Sequence, residues 1–292
     1  EVVVTASEKK GITSTTIIGQ TAMEHLQPSS FTDLLALLPG GMTKIPSLGS
    51  ANVITLREAG SPSSQYATSS LGTKFIVDGQ PIGTDANMQY IAGAFQGDAD
   101  NSRNHISYGV DMREIPTDNI ERVEVVRGIP SVKYGELTSG LINITRKRSQ
   151  TPLQIRLKAD EYGKLISAGK GFLLAEKWNL NVDGGLLDAK KEPRNQFETY
   201  KRLTFSARIQ RKWKLGEHNI LEWNGATDYA LNIDNVKTDP EIQIHKEDRY
   251  RSSYLKIGMN NRIVYRRLLP LGLQRASFAY TASVAFDKIH QT

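Results

Sequence analysis

The residues that could hold a metal are sparse and poorly spaced. Asp98, Asp100 and Asn101 look like the opening of a calcium loop, but the remaining ligand spacing and the closing glutamate are missing. The five histidines are scattered, with no pair at helical or hairpin spacing, and there is no cysteine. Transition-metal and thiolate sites are therefore not expected, nor are disulfides. No nucleophile stands beside a base in a recognisable pattern, and neither a phosphate-binding glycine loop nor an HExxH pair occurs. The chemistry left to this chain is binding. No enzyme activity and no cofactor are expected.

The 292 residues are 39% hydrophobic and 23% charged, the balance of a folded chain of about two domains. The net charge of +6 is unevenly spread. Residues 1–150 hold 13 Lys/Arg against 15 Asp/Glu, a net of −2, whereas residues 151–292 hold 24 against 16, a net of +8. In that second half the basic residues alternate with apolar ones along strands, so a nucleic-acid face is not expected. No apolar run is long enough for a transmembrane helix, but spanning β-strands escape that test. Glu1 opens directly into VVVTA with no signal-peptide pattern, which reads as a mature or trimmed start.

Two elements must position whatever the first half binds. FTDLLALLPGG, from Phe31 to Gly41, has a helical apolar stripe at Leu34, Leu35, Leu37 and Leu38. Ser29 or Ser30 can cap its start, and Pro39 with two glycines ends it. A shorter helix is expected around Thr21–Leu26, stopped by Pro28. NVITLRE (Asn52–Glu58) and TKFIVDGQPIG (Thr73–Gly83) read as strands, the second turning at Asp78-Gly79. A long polar stretch separates Gly83 from Glu114; connectors of that length in a compact domain are commonly functional. After a helical turn at Ile115–Asp118, IERVEVVRG forms a strand with Val123 and Val125 on one face.

From Pro152 the period becomes two. Leu153, Ile155 and Leu157 alternate with Gln154, Arg156 and Lys158; Phe278, Tyr280, Ala282 and Val284 alternate with Ser277, Thr281 and Ser283. Seven such strands are expected. Either a soluble sandwich or a membrane barrel satisfies this pattern. Strand length, the aromatic residues Trp178, Trp213 and Tyr265 near strand ends, and alternating connectors favour the barrel. Residues 189–200 and about 231–250 are long and polar, whereas the turns near 175–177, 214–218 and 268–272 are short.

The ordered motifs EVVVTAS, LLALLPGG, KFIVDGQPI and IERVEVVRGIPSVKYGELTSGLINITRKR resemble those of a TonB-dependent receptor of the Gram-negative outer membrane. The resemblance implies a Ton box-like segment at 1–7, a small mixed α/β plug domain at 8–148, and antiparallel transmembrane β-barrel strands at 149–292. One departure from the family pattern is Glu58, where a glycine commonly follows the arginine. Plugged barrels use about 22 strands, so seven form an incomplete barrel. The sequence is thus expected to belong to a longer chain, with roughly 300 further residues at this spacing.

The resemblance further implies TonB-dependent import of a scarce ligand such as a ferric siderophore, cobalamin or another large nutrient. A passive outer-membrane receptor and a soluble β-rich binding module are the alternatives. Expected partners are TonB in the periplasm, outer-membrane lipid and lipopolysaccharide, and the imported ligand, with a surface lipoprotein as a further candidate. Glu1, Val2, Val3, Val4, Thr5 and Ala6 would bind TonB, their β-favouring side chains suiting edge-to-edge pairing. Arg57 and Arg127 resemble the plug arginines that couple to the barrel. Gln65, Tyr66, Tyr90, Phe95, Arg103 and His105, in the two long polar connectors, are the candidate ligand contacts. Arg156, Lys158, Arg202, Arg208, Lys212, Lys256, Arg262 and Arg275 would point inward and favour an anionic ligand.

Overall fold

A computed structural model of the chain describes residues 7–9, 14–28, 30–38, 73–82, 110, 112–127, 140–175, 177–190, 193–194, 196–237, 249–267 and 274–291. Two sheets organise them. The first contains β1 (Ser7–Lys9), β2 (Ser14–Gly19), β3 (Thr73–Val77), β4 (Gln80–Pro81), β5 (Ile120–Arg127) and β6 (Gly140–Arg146). Their spatial order is β1-β2-β5-β6-β3-β4, with β3 parallel to β6 and the other pairs antiparallel.

One apolar cluster fills this mixed unit. Val123 and Val125 from β5, Ile142 and Ile144 from β6, Phe75 and Ile18 pack with Met23, Phe31 and Leu34. Met23 comes from helix α1 (Gln20–Leu26), which starts where β2 ends. The helix stops at Gln27, whose left-handed backbone (φ 47°) lets its N–H reach the Met23 carbonyl at 2.9 Å.

The segment Phe31–Leu37 is a 3-10 helix rather than the expected α-helix. Among its described side chains, Phe31 and Leu34 are buried and lie three apart, and a 3-10 helix stacks i over i+3. Asp33 fastens the first turn: its carboxylate accepts the Ser30 N–H at 3.1 Å, and its own N–H donates to the Ser30 carbonyl at 3.1 Å. A further 3-10 turn lies at Met112–Glu114, just before the helical turn expected at 115–118.

The second sheet is a meander: β7 (Thr151–Ala159), β8 (Gly163–Leu174), β9 (Trp178–Lys190), β10 (Glu198–Lys214), β11 (Asn219–Lys237), β12 (Arg249–Arg267) and β13 (Arg275–Gln291). Each strand pairs antiparallel with the next. Its burial inverts the rule for water-soluble sheets. Leu157 is 72% exposed and Phe278 66%, whereas Asn232, Ser252 and Asp234 are buried. The apolar residues of the alternation point away from the protein, and the polar ones point toward the mixed unit. That is the arrangement of a wall facing hydrocarbon.

The strands run further than the alternation indicates. β9 ends at Lys190 and β10 starts at Glu198, so the expected 189–200 connector narrows to 191–197; β11 and β12, 19 residues each, narrow the 231–250 connector to 238–248. The connector between β7 and β8 is tight: Asp160 Oδ1 accepts the N–H groups of Tyr162 and Gly163, both at 2.9 Å.

Candidate functional site

The functional geometry lies where the mixed unit meets the polar face of the meander. Its centre is the Asp78-Gly79 turn between β3 and β4. Both residues have positive φ (54° and 85°), the two-residue hairpin geometry that Asp-Gly favours. Gly79 also makes room for a meander side chain: a Cβ there would lie 2.5 Å from an Arg262 guanidinium nitrogen. The turn holds Asp78 so that its carboxylate receives the Arg146 backbone N–H at 3.0 Å and Arg146 Nε at 2.7 Å. Arg148 NH2 approaches the same carboxylate at 3.0 Å.

Arg146 continues across the junction. Its NH1 pairs with Asp228 on β11 and donates to Ser206 Oγ on β10 at 3.3 Å. Ser206 Oγ in turn donates to Asp228 at 2.6 Å. Asp78 and Arg146 side chains are only 4% and 8% exposed. Burial pushes the Asp78 carboxyl up, but Arg146 and Arg148 more than offset that and hold it below its ordinary value. Burial likewise pushes the Arg146 guanidinium down, and Asp78 with Asp228 raise it above the ordinary arginine value. Both groups are charged at neutral pH.

A second set of contacts lies beside this one. Arg208 on β10 pairs with Asp183 on β9 and donates to the Lys147 carbonyl at 3.0 Å. Asn119 Nδ2 donates to Asp183 Oδ2 at 3.1 Å. Burial lowers the Lys147 ammonium pKa, against the upward pull of Glu24, Asp118 and Asp183. At the edge, Arg156 on β7 pairs with Asp118 at 2.7 Å and donates to the carbonyls of Gln27 and Pro28, both at 2.7 Å. These carbonyls lie just beyond α1, where a helix leaves acceptors unsatisfied and favours a cation. A cavity of about 480 Å³ separates α1 from the wall here, with Gln20, Glu24, Asp118, Lys147 and Thr204 among its lining residues. Its lining is mixed, with Met23, Leu153, Ile155 and Leu165 beside these polar groups, and its size admits water.

Arg127, expected to couple the two units, lies on β5, and its NH2 donates to Thr16 Oγ1 at 3.4 Å within the mixed sheet. Glu1, Val2, Val3, Val4, Thr5, Ala6, Arg57, Gln65, Tyr66, Tyr90, Phe95, Arg103 and His105 lie outside the described residues. Arg156 and Arg208 do point inward, but Asp118 and Asp183 take up their charge. Sequence reasoning missed the acidic half of the junction. Asp183 and Asp228 stand at inward positions of strands already recognised, so the alternation carried that signal. Nothing local pairs them with Arg208 and Arg146, which are 25 and 82 residues away.

Residues 7–141 match the TonB-dependent Receptor Plug Domain family. No curated protein matches the chain. Among solved structures, the unliganded ferric citrate transporter FecA is 9% identical, with a TM-score of 0.56 over 99% of this chain and 52% of its own. The ferric yersiniabactin uptake receptor FyuA from Yersinia pestis is 11% identical, with a TM-score of 0.55 over 96% of this chain and 49% of its own. The ferric enterobactin receptor PfeA from Pseudomonas aeruginosa is 17% identical, with a TM-score of 0.51 over 94% of this chain and 46% of its own. The chain spans about half the length of the solved structures it matches.

Proposed function

We infer that this chain, a TonB-dependent receptor in its plug and in its run of barrel strands, serves energised import of a scarce ligand across the outer membrane of a Gram-negative bacterium. The family consists of transporters and receptors rather than enzymes, and its members bind an imported ligand and interact with TonB. One observation carries the reading: the barrel strands turn their apolar side outward and hold a folded plug on their polar side through the Arg146–Asp228 and Arg156–Asp118 ion pairs and the Asn119–Asp183 hydrogen bond. A passive pore has no use for such a stopper, and a soluble sandwich would not expose Leu157 and Phe278.

Energy must come from outside, since no nucleotide reaches that membrane. Residues Glu1–Ala6 would supply the handle by pairing with a TonB strand. They lead into β1, which is held by three register pairs, Ser7↔Ile17, Glu8↔Thr16 and Lys9↔Thr15. A pull on the handle would reach β2 next, then α1, then the Arg156 clamp. Arg57 and Arg127 would add to plug–barrel coupling, and the plug ends near residue 148 in this reading. Gln65, Tyr66, Tyr90, Phe95, Arg103 and His105 would contact the ligand from the plug's long connectors. Ferric chelates are the first candidates, because the similar structures are receptors for ferric citrate, ferric yersiniabactin and ferric enterobactin. Lipopolysaccharide and a surface lipoprotein are the remaining proposed partners.

Deleting Val2–Ala6 tests the reading, with ferric citrate, ferric enterobactin and cyanocobalamin as probes. Surface binding of the accepted probe should persist while its accumulation stops. A passive receptor would show no difference between the deleted and intact proteins.

A further inference from the structure

Arg211 stands on the outward face of β10, in the same alternation as Leu203, Phe205 and Ile209. A cation on the lipid face is costly at mid-membrane and well tolerated at the headgroup level. Its surroundings set the depth. Trp178 opens β9 directly after the short 175–177 turn, and Trp213 is the penultimate residue of β10. The cluster therefore lies at the short-turn end of the wall, where interfacial aromatic residues collect.

The cluster is built rather than incidental. Arg211 pairs in register with Trp178 on one side and Trp223 on the other. Its guanidinium carbon lies 4.6 Å from the Trp178 ring centre and 4.9 Å from that of Trp213. Trp178 also meets Trp213 and Trp223 edge-on, at 6.2 and 5.8 Å. Trp223 is anchored by its indole N–H, which donates to Asn261 Oδ1 at 3.2 Å. Gly225 leaves room for that ring: a Cβ there would lie 3.3 Å from Trp223 and 3.2 Å from Asn261 Oδ1. The Arg211 Nε is enclosed and meets no acceptor, and no carboxylate pairs with Arg211 among the described residues.

We propose that Arg211, held between Trp178 and Trp213, binds the phosphodiester of a glycerophospholipid in the leaflet on the short-turn side. The two indoles flank the guanidinium nearly at right angles to each other, and its NH1–NH2 edge makes no ion pair among the described residues. That edge is the part that matches a phosphate with two parallel hydrogen bonds. Short turns mark the periplasmic side of such barrels, and the occupant committed to is the lipid of that leaflet. Inorganic phosphate and lipid A share the anion but lack the diacylglycerol phosphodiester. The proposal rests on the membrane-barrel reading above.

Native mass spectrometry of the delipidated receptor in detergent, titrated with phosphatidylglycerol, tests it. Binding should fall by about tenfold or more in Arg211→Gln, the scale of a charge-assisted contact, and partly recover in Arg211→Lys. Lys212→Gln, the same charge change on the neighbouring inward position, should bind as wild type. Equal phosphatidylglycerol binding by Arg211→Gln and wild type overturns the site, as does equal binding of diacylglycerol. Lipid A or inorganic phosphate competing as well as phosphatidylglycerol overturns the assignment to a glycerophospholipid. Vesicle flotation separates this from the parent reading. A wild-type chain that does not float overturns both; one that floats while Arg211 proves indifferent overturns the site alone. Circular dichroism checks folding of the glutamine variant, and the lysine variant keeps the test available if that variant misfolds.

Discussion

Arg146 holds the plug's turn and the barrel wall with one guanidinium, and its two carboxylate partners differ in environment. The Asp78 side chain is 4% exposed and that of Asp228 38%. The Asp228 contact is therefore screened and contributes little, whereas losing Arg146 strands Asp78 away from water. Arg146→Met should destabilise the plug by about 3–5 kcal/mol, toward the lower end because Arg148 remains beside Asp78. Thermal denaturation at neutral pH measures this. The same melts repeated at lower pH carry a sign. The Asp78 carboxyl is held below its ordinary value, so its stabilisation is full above the unfolded pKa of about 4. It is lost as pH falls through the depressed folded value. In Arg146→Met the burial penalty dominates and the carboxyl rises, so acid sensitivity should begin at a higher pH than in wild type. Parallel pH profiles for the two proteins would contradict this role for Arg146.

At the level of elements, α1 is a short helix whose end is finished by another part of the chain. Arg156 from β7 bonds the Gln27 and Pro28 carbonyls and pairs with Asp118. Arg156→Gln should cost the plug about 1.5–3 kcal/mol, the range for hydrogen bonds to a charged group. It should also raise protease sensitivity near α1 while leaving the strand content unchanged; limited proteolysis with circular dichroism reads both. The elements themselves were largely legible. Alternation marks the seven strands because their apolar residues face outward and their polar residues inward, and the Asp78-Gly79 pair marks its hairpin. The alternation fades toward the strand ends, so the extensions of β10 to β12 were read as connectors. The 3-10 form of Phe31–Leu37 was hidden because a leucine-rich run satisfies a helical stripe as well as a three-residue one. The junction was least legible of all: Asp78 and Arg146 are 68 residues apart, and pattern within one strand cannot pair them.

For the whole molecule, the question is whether the plug must move against its wall. Asn119 and Asp183 meet across the junction at 3.1 Å, one from the plug and one from β9. The chain has no cysteine, so a pair of introduced thiols has no competitor. Asn119→Cys combined with Asp183→Cys brings two thiols within reach of a short, reducible bifunctional reagent. Bridging them ties the plug to the wall beside the 480 Å³ cavity without touching the proposed handle or ligand contacts. If import needs the plug to yield there, the bridged double variant should bind the accepted probe normally and lose most of its uptake. Reduction should restore uptake to the level of the unbridged double variant. Each single variant treated with the same reagent should transport as before treatment, which separates the tether from the cost of losing the Asp183–Arg208 pair. Undiminished uptake by the bridged protein would mean that this contact stays closed during transport, and that the path for the ligand opens on the other side of the plug.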